Sequence, residues 1–114
     1  MKIIISKERY IDDIKEEFNR GFPYLNIEFK IDTNQRRNRN LIGKLKLGDV
    51  LKDNPEGIIS INENNSIKQV SQKFADNFGL STNFYRRSGN LWIEIKATCD
   101  WSLKQQNESG MEVY

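Results

Sequence analysis

Histidine occurs nowhere in the 114 residues, which removes the commonest general base near neutral pH and the commonest transition-metal ligand together. A single thiol, some paired carboxylates, a basic run and an aromatic pair beside an arginine remain, each suited to a different chemistry. Cys99 is the only cysteine and its neighbour is the acidic Asp100. A thiol becomes a nucleophile where a base or cations favour the thiolate, so Cys99 reads as an ordinary strand-end thiol. Asp12, Asp13, Glu16 and Glu17 are paired in sequence, but Asp12 and Glu16 share the polar side of one helix, where solvation accounts for them. Acid and base work needs two carboxylates in unlike environments across a cleft. No Gly-rich phosphate loop, Walker lysine or metal-ligand spacing is present. No catalytic residue, cofactor or metal is therefore expected.

Two clusters suit binding. Arg36, Arg37, Arg39, Lys44 and Lys46 place five positive charges within eleven residues without an acid among them, a pattern that could contact phosphates. The whole chain carries a formal charge of only +2, so no overall field supports this, and a solvated basic connector has the same composition. Tyr85, Arg87 and Trp92 form the second cluster, because aromatic rings beside an arginine are the make-up of protein-binding hot spots. Trp101, in the last segment, joins these three as a candidate for partner binding. Either Tyr85, Arg87 and Trp92 are open to a partner, or the tail folds across them with Trp101, Leu103 and Met111; the second arrangement also covers Ile4 and Ile58, which a monomer would otherwise expose.

The elements that must position these residues follow from periodicity. Ile3, Ile4 and Ile5 read as a strand, and Ser6 as the cap of a helix over residues 7–21, with Ile11, Ile14, Phe18 and Phe22 on one stripe and Gly21 and Pro23 at its stop. Leu25, Ile27, Phe29 and Ile31 alternate with polar residues as in a strand with one wet face. The second half repeats the plan: Ile58, Ile59 and Ile61, a cap at Ser66, then Ile67, Val70, Phe74 and Phe78, 56 positions after their counterparts. A strand over residues 82–87, turn residues Ser88, Gly89 and Asn90, and a strand over 91–97 make a terminal hairpin. In it Phe84, Leu91, Ile93 and Ile95 share the core face, and Tyr85, Arg87, Trp92, Glu94 and Lys96 the other. The connector's apolar second part could hold a short helix, and a final helix of about ten residues is expected, capped by Asp100 and closed by Gly110.

The chain thus reads as one α+β domain: a first βαβ unit over 1–32, a basic connector over 33–56, a second βαβ unit with a hairpin strand over 57–97, and a C-terminal segment over 98–114. An open sheet with both long helices on one face, close to a ferredoxin-like sandwich with an added C-terminal edge strand, accommodates it. Ile3, Ile5, Ile59 and Ile61 then face the helices. An RRM-type stacking platform is disfavoured, because the central outward positions are Ile4, Ile58 and Ser60.

Phe78-Gly79-Leu80 at a helix end, Arg86, Ser88-Gly89-Asn90 and Trp92 in the hairpin, and Trp101-Ser102-Leu103 with Gln106-Asn107 in the tail resemble a family of small bacterial proteins. The resemblance covers roughly the C-terminal half and implies an intracellular accessory domain, with no activity, cofactor or catalytic residue to carry over. A lone cysteine, an early charged segment and the lack of a long apolar run set a cytoplasmic protein as the expectation. Function is accordingly expected to be non-enzymatic protein interaction through the hairpin and tail, with nucleic-acid binding by residues 36–46 as the alternative.

Overall fold

The structure, a computed structural model, describes residues 1–31, 44–51 and 56–112. Arg36, Arg37 and Arg39 lie outside the described residues. Strand β1 (Lys2–Ile5) buries Ile3 and Ile5, as its period of two requires, and strand β3 (Gly57–Ser60) buries Ile59. The two pair antiparallel with Ile3 opposite Ile59. Helix α1 (Ile11–Gly21) turns Ile11, Ile14 and Phe18 into the core, and helix α3 (Ile67–Phe78) does the same with Ile67, Val70 and Phe74. Between them in sequence come strand β2 (Leu25–Ile31) and the one-turn helix α2 (Leu47–Val50); strands β4 (Leu80–Ser88) and β5 (Leu91–Glu94) and helix α4 (Leu103–Glu112) follow α3. Strands β2, β4 and β5 form a second antiparallel sheet in that order.

The α+β class and the short connector helix are as expected, but the single ferredoxin-like sheet is not what the strands form. β1 and β3 are neighbours, as that topology requires, yet β2 pairs along its whole length with β4 and not with β3. Alternation fixes which side a residue faces and says nothing about which edge its strand joins. Helix α1 also begins four residues later than the Ser6 cap suggested. Lys7 O accepts from Gly48 N at 3.0 Å and Arg9 O from Leu47 N at 2.9 Å, so the connector takes carbonyls that an earlier helix start would have used. Tyr10 is the cap, and its N–H donates to Asp13 at 3.2 Å.

The repeat seen in the sequence extends to the hydrogen bonds. Leu103 N donates to Asn65 O at 2.8 Å and Lys104 N to Glu63 O at 3.0 Å, and all four residues lie 56 positions after those of the α2 pairs just described. Isolated bridges Tyr10 to Lys46 and Ser66 to Ser102 keep the same offset. Ile3 pairs with its own counterpart Ile59, and the Phe18 ring meets Phe84 at 5.5 Å as Phe74 meets Phe29 at 5.1 Å. Such reciprocal contacts are those of an isologous interface. The molecule is therefore two βαβα units about an approximate two-fold axis, sharing one apolar core, and β5 is an addition to the second unit.

The tail is ordered and packed, but on the opposite side from that expected. Trp101 and Gln106 meet Arg86, which shares its strand face with Phe84, and Phe84 packs on α1 through Phe18. Helix α4 thus lies on the same side of β2–β4–β5 as the long helices. It begins after Ser102, whose Oγ accepts from Gln105 N at 3.1 Å, and not at Asp100. Gly110 sits inside the helix, where a Cβ would fall 2.8 Å from that of Tyr24, so close approach to the neighbouring chain is what calls for glycine there.

Candidate interaction surface on the terminal hairpin

The hairpin is built by Gly89, which takes φ +60 in the turn so that Ser88 can pair with Leu91. That register sets Arg87 opposite Trp92 and Tyr85 opposite Glu94. Side chains directly opposite point to one side, so these four share the face away from the helices. The Arg87 guanidinium lies 5.3 Å from the Trp92 ring centroid, held by its Nε donating to Gly89 O at 2.8 Å. Trp92 stays 37% exposed. Glu94 accepts from Asn83 and lies 3.4 Å from Lys96; the Asn83 hydrogen bond, with help from Lys96, holds its carboxyl below the usual glutamate range.

Tyr85 is displaced the other way. Partial burial, followed by the negative charges of Glu94 and Glu28, raises its phenol above the ordinary 10.0. An NMR titration of the Tyr85 ring is expected to give a midpoint above that value, and Glu94→Gln should move it down by removing one of the two carboxylates. A midpoint unmoved by the substitution would detach Glu94 from this face.

Arg86, one residue along, points the opposite way and explains most of the tail motif. Its guanidinium lies 5.7 Å from the Trp101 ring, and Nη1 donates to Gln106 Oε1 at 2.7 Å. Gln106 is fully buried and donates in turn to Thr98 O at 2.6 Å and Thr98 Oγ1 at 2.9 Å, so its amide is satisfied. Asn107 Oδ1 accepts from Tyr24 N at 2.9 Å, and Leu103 enters the core. The sequence grouped Trp101 with Tyr85, Arg87 and Trp92; the structure brings the last three together and sets Trp101 on the other face. Gln106 and Asn107 were visible as a motif, and their structural part emerges only once Arg86 is known to face them.

The expected burial of Ile93 does not occur. It shares a face with Arg86 as the alternation required, but it is 51% exposed and Leu91 67%, because the helices pack against β2 and β4 and leave the outer strand uncovered. Ile95 N donates to Phe84 O at 2.8 Å, so Leu91, Ile93 and Ile95 direct their backbone groups at β4. Trp92 and Glu94 must then direct theirs outward. Among the described residues no strand pairs with that edge.

The remaining candidates are less suited to binding. Lys44 is exposed, while Lys46 lies 3.5 Å from Glu8 and 5.7 Å from the Tyr10 ring centroid. Cys99 is half-buried and lines a cleft of about 440 Å³ between α3 and β4 that also takes in Ser71, Asn83 and Glu94. In the first unit, Lys15 and Glu28 bridge the corresponding helix and strand by an ion pair of 2.7 Å. In the second unit Ser71, the counterpart of Lys15, accepts from Thr82 Oγ1 at 2.9 Å, and Asn83 donates to Glu94, so among the described residues no ion pair spans the cleft there. Among the described residues no group of three or more Cys, Asp or Glu converges as a metal site, and no helix is long and apolar enough to cross a membrane. No family model, curated protein or solved structure matches the chain.

Proposed function

We propose that the chain is a non-enzymatic protein-interaction module whose contact surface is the outer face of the terminal hairpin. One observation carries this reading: of the motif residues in the C-terminal half, Trp92 alone is a large exposed ring, with the Arg87 guanidinium over it, while Trp101, Leu103, Gln106 and Asn107 hold α4 in place. A flat ring stacked under a guanidinium loses little side-chain freedom on docking. The family resemblance supports placing the module inside a bacterial cell, in the cytoplasm. Nothing about Lys44 or Lys46 favours nucleic acid over protein as the partner.

The test is affinity capture from an extract of the source cells, with wild type and an Arg87→Ala/Trp92→Ala variant as bait, before and after nuclease treatment. A protein held by wild type, lost by the variant and indifferent to nuclease is the expected result. The double substitution should cost only about 1 kcal/mol, since Trp92 is exposed and Arg87 is half-buried, held by one ring contact and one hydrogen bond. Capture that the variant retains would sink the assignment to this face. Capture that nuclease abolishes, and that weakens steeply with salt, would give the function to nucleic acid instead.

A further inference from the structure

Strand β5 carries three consecutive exposed apolar residues, Leu91, Trp92 and Ile93, along an edge with outward backbone groups at Trp92 and Glu94. Natural proteins usually blunt such an edge with a charge, a proline or a bulge, and this one has none before Glu94. From this we infer that β5 pairs antiparallel with β5 of a second copy of this chain, joining two three-stranded sheets into one of six. The inference rests on the proposed reading of the hairpin as an interaction surface and names its occupant.

The two-fold axis passes through Ile93. In that register Trp92 stands opposite Glu94 of the second copy, and these are the residues whose N–H and C=O groups point outward, so both pairs close their hydrogen bonds. Ile93 meets Ile93, and Leu91 meets Ile95 of the second copy, which covers the apolar strip left bare by the helices. On the outer face the Glu94 carboxylate of one copy comes beside the Arg87 and Trp92 stack of the other, setting opposite charges together twice. Centring the axis on Glu94 would oppose two carboxylates; centring it on Trp92 would leave Glu94 against the neutral Asn90. The contact is isologous and closes at two copies.

Sedimentation velocity on the full chain, from micromolar to submillimolar concentration, tests this against Ile93→Lys and Ile93→Val. Wild type and Ile93→Val should show a concentration-dependent boundary at twice the monomer mass. Ile93→Lys, which puts two cations on the axis, should lose the dimer across the range, while its melting temperature in dilute solution, where wild type is also monomeric, stays unchanged because residue 93 is half exposed. A wild type that stays monomeric throughout overturns the self-pairing, while the Arg87→Ala/Trp92→Ala capture experiment still decides the outer face on its own terms. Dimers that survive Ile93→Lys, or assemblies that grow beyond two copies, as head-to-tail pairing of β5 with β2 would give, overturn it as well.

Discussion

Phe74→Ala is expected to lower the unfolding free energy by about 3 to 5 kcal/mol, read as a fall in the denaturation midpoint with an unchanged slope. Phe74 is fully buried and sets its ring edge-on to Phe29, 5.1 Å between centroids and 68° between planes. The loss combines apolar burial with a cavity that rigid neighbours on β2 cannot close. Because the two units are related by the two-fold axis, Phe18→Ala, which removes the equivalent contact with Phe84, should cost a similar amount. Against a total of roughly 5 to 15 kcal/mol for a domain of ordinary stability, the double variant should be largely unfolded. A Phe74→Ala chain as stable as wild type would contradict the packing of α3 on β2.

Deleting residues 101–112 and beyond should have an effect of comparable size. It removes fully buried Leu103, whose truncation to alanine alone should cost about 2 to 5 kcal/mol, and it takes from Arg86 both the Trp101 ring and the Gln106 amide. Thr98 loses its partner at both oxygens. The surface laid bare is the helix side of β4 near Leu25 and Phe84, not the outer face, so Trp92 should keep its environment. A thermal melt, together with the fluorescence of Trp92 as the one remaining tryptophan, checks both halves of the statement. An unchanged melting temperature would mean that α4 does not complete the core.

Much of this arrangement was legible in the residues. The stripes Ile11, Ile14, Phe18 and Ile67, Val70, Phe74 specify two helices and the faces they bury, and the offset of 56 turned out to govern backbone hydrogen bonds as well as side chains. Gly79 at φ +65 and Gly89 at φ +60 stand where a helix stop and a turn were expected. What could not be read depends on contacts distant in sequence. Ser6 has the chemistry of a cap, but the start of α1 is decided by Leu47 and Gly48 taking the carbonyls of Arg9 and Lys7. Ile93 has the right parity for the core, yet nothing local says that the helices end before reaching β5. Trp101 and Leu103 suited either side of the sheet, and Arg86 settled the choice through a buried amide five residues further along.

The site divides in the same way. Tyr85, Arg87 and Trp92 could be grouped from alternation alone, because the hairpin is local and its register follows from a two-residue turn. Trp101 was assigned to them on composition, which carries no information about sides. The last hairpin strand was expected at the sheet edge, where β5 lies; that its inner face stays bare was not visible, since this depends on where the helices end.

Amide hydrogen exchange, resolved by residue and repeated across protein concentrations, tests most directly whether the terminal hairpin presents an open binding edge. In dilute solution the amides of Ile93 and Ile95 should be protected by β4, while those of Trp92 and Glu94 exchange fast; as concentration rises, Trp92 and Glu94 alone should gain protection. Protection of Trp92 and Glu94 that is complete even at the highest dilution would show the edge already covered within one chain, and fast exchange at every concentration would show that no second copy occupies it.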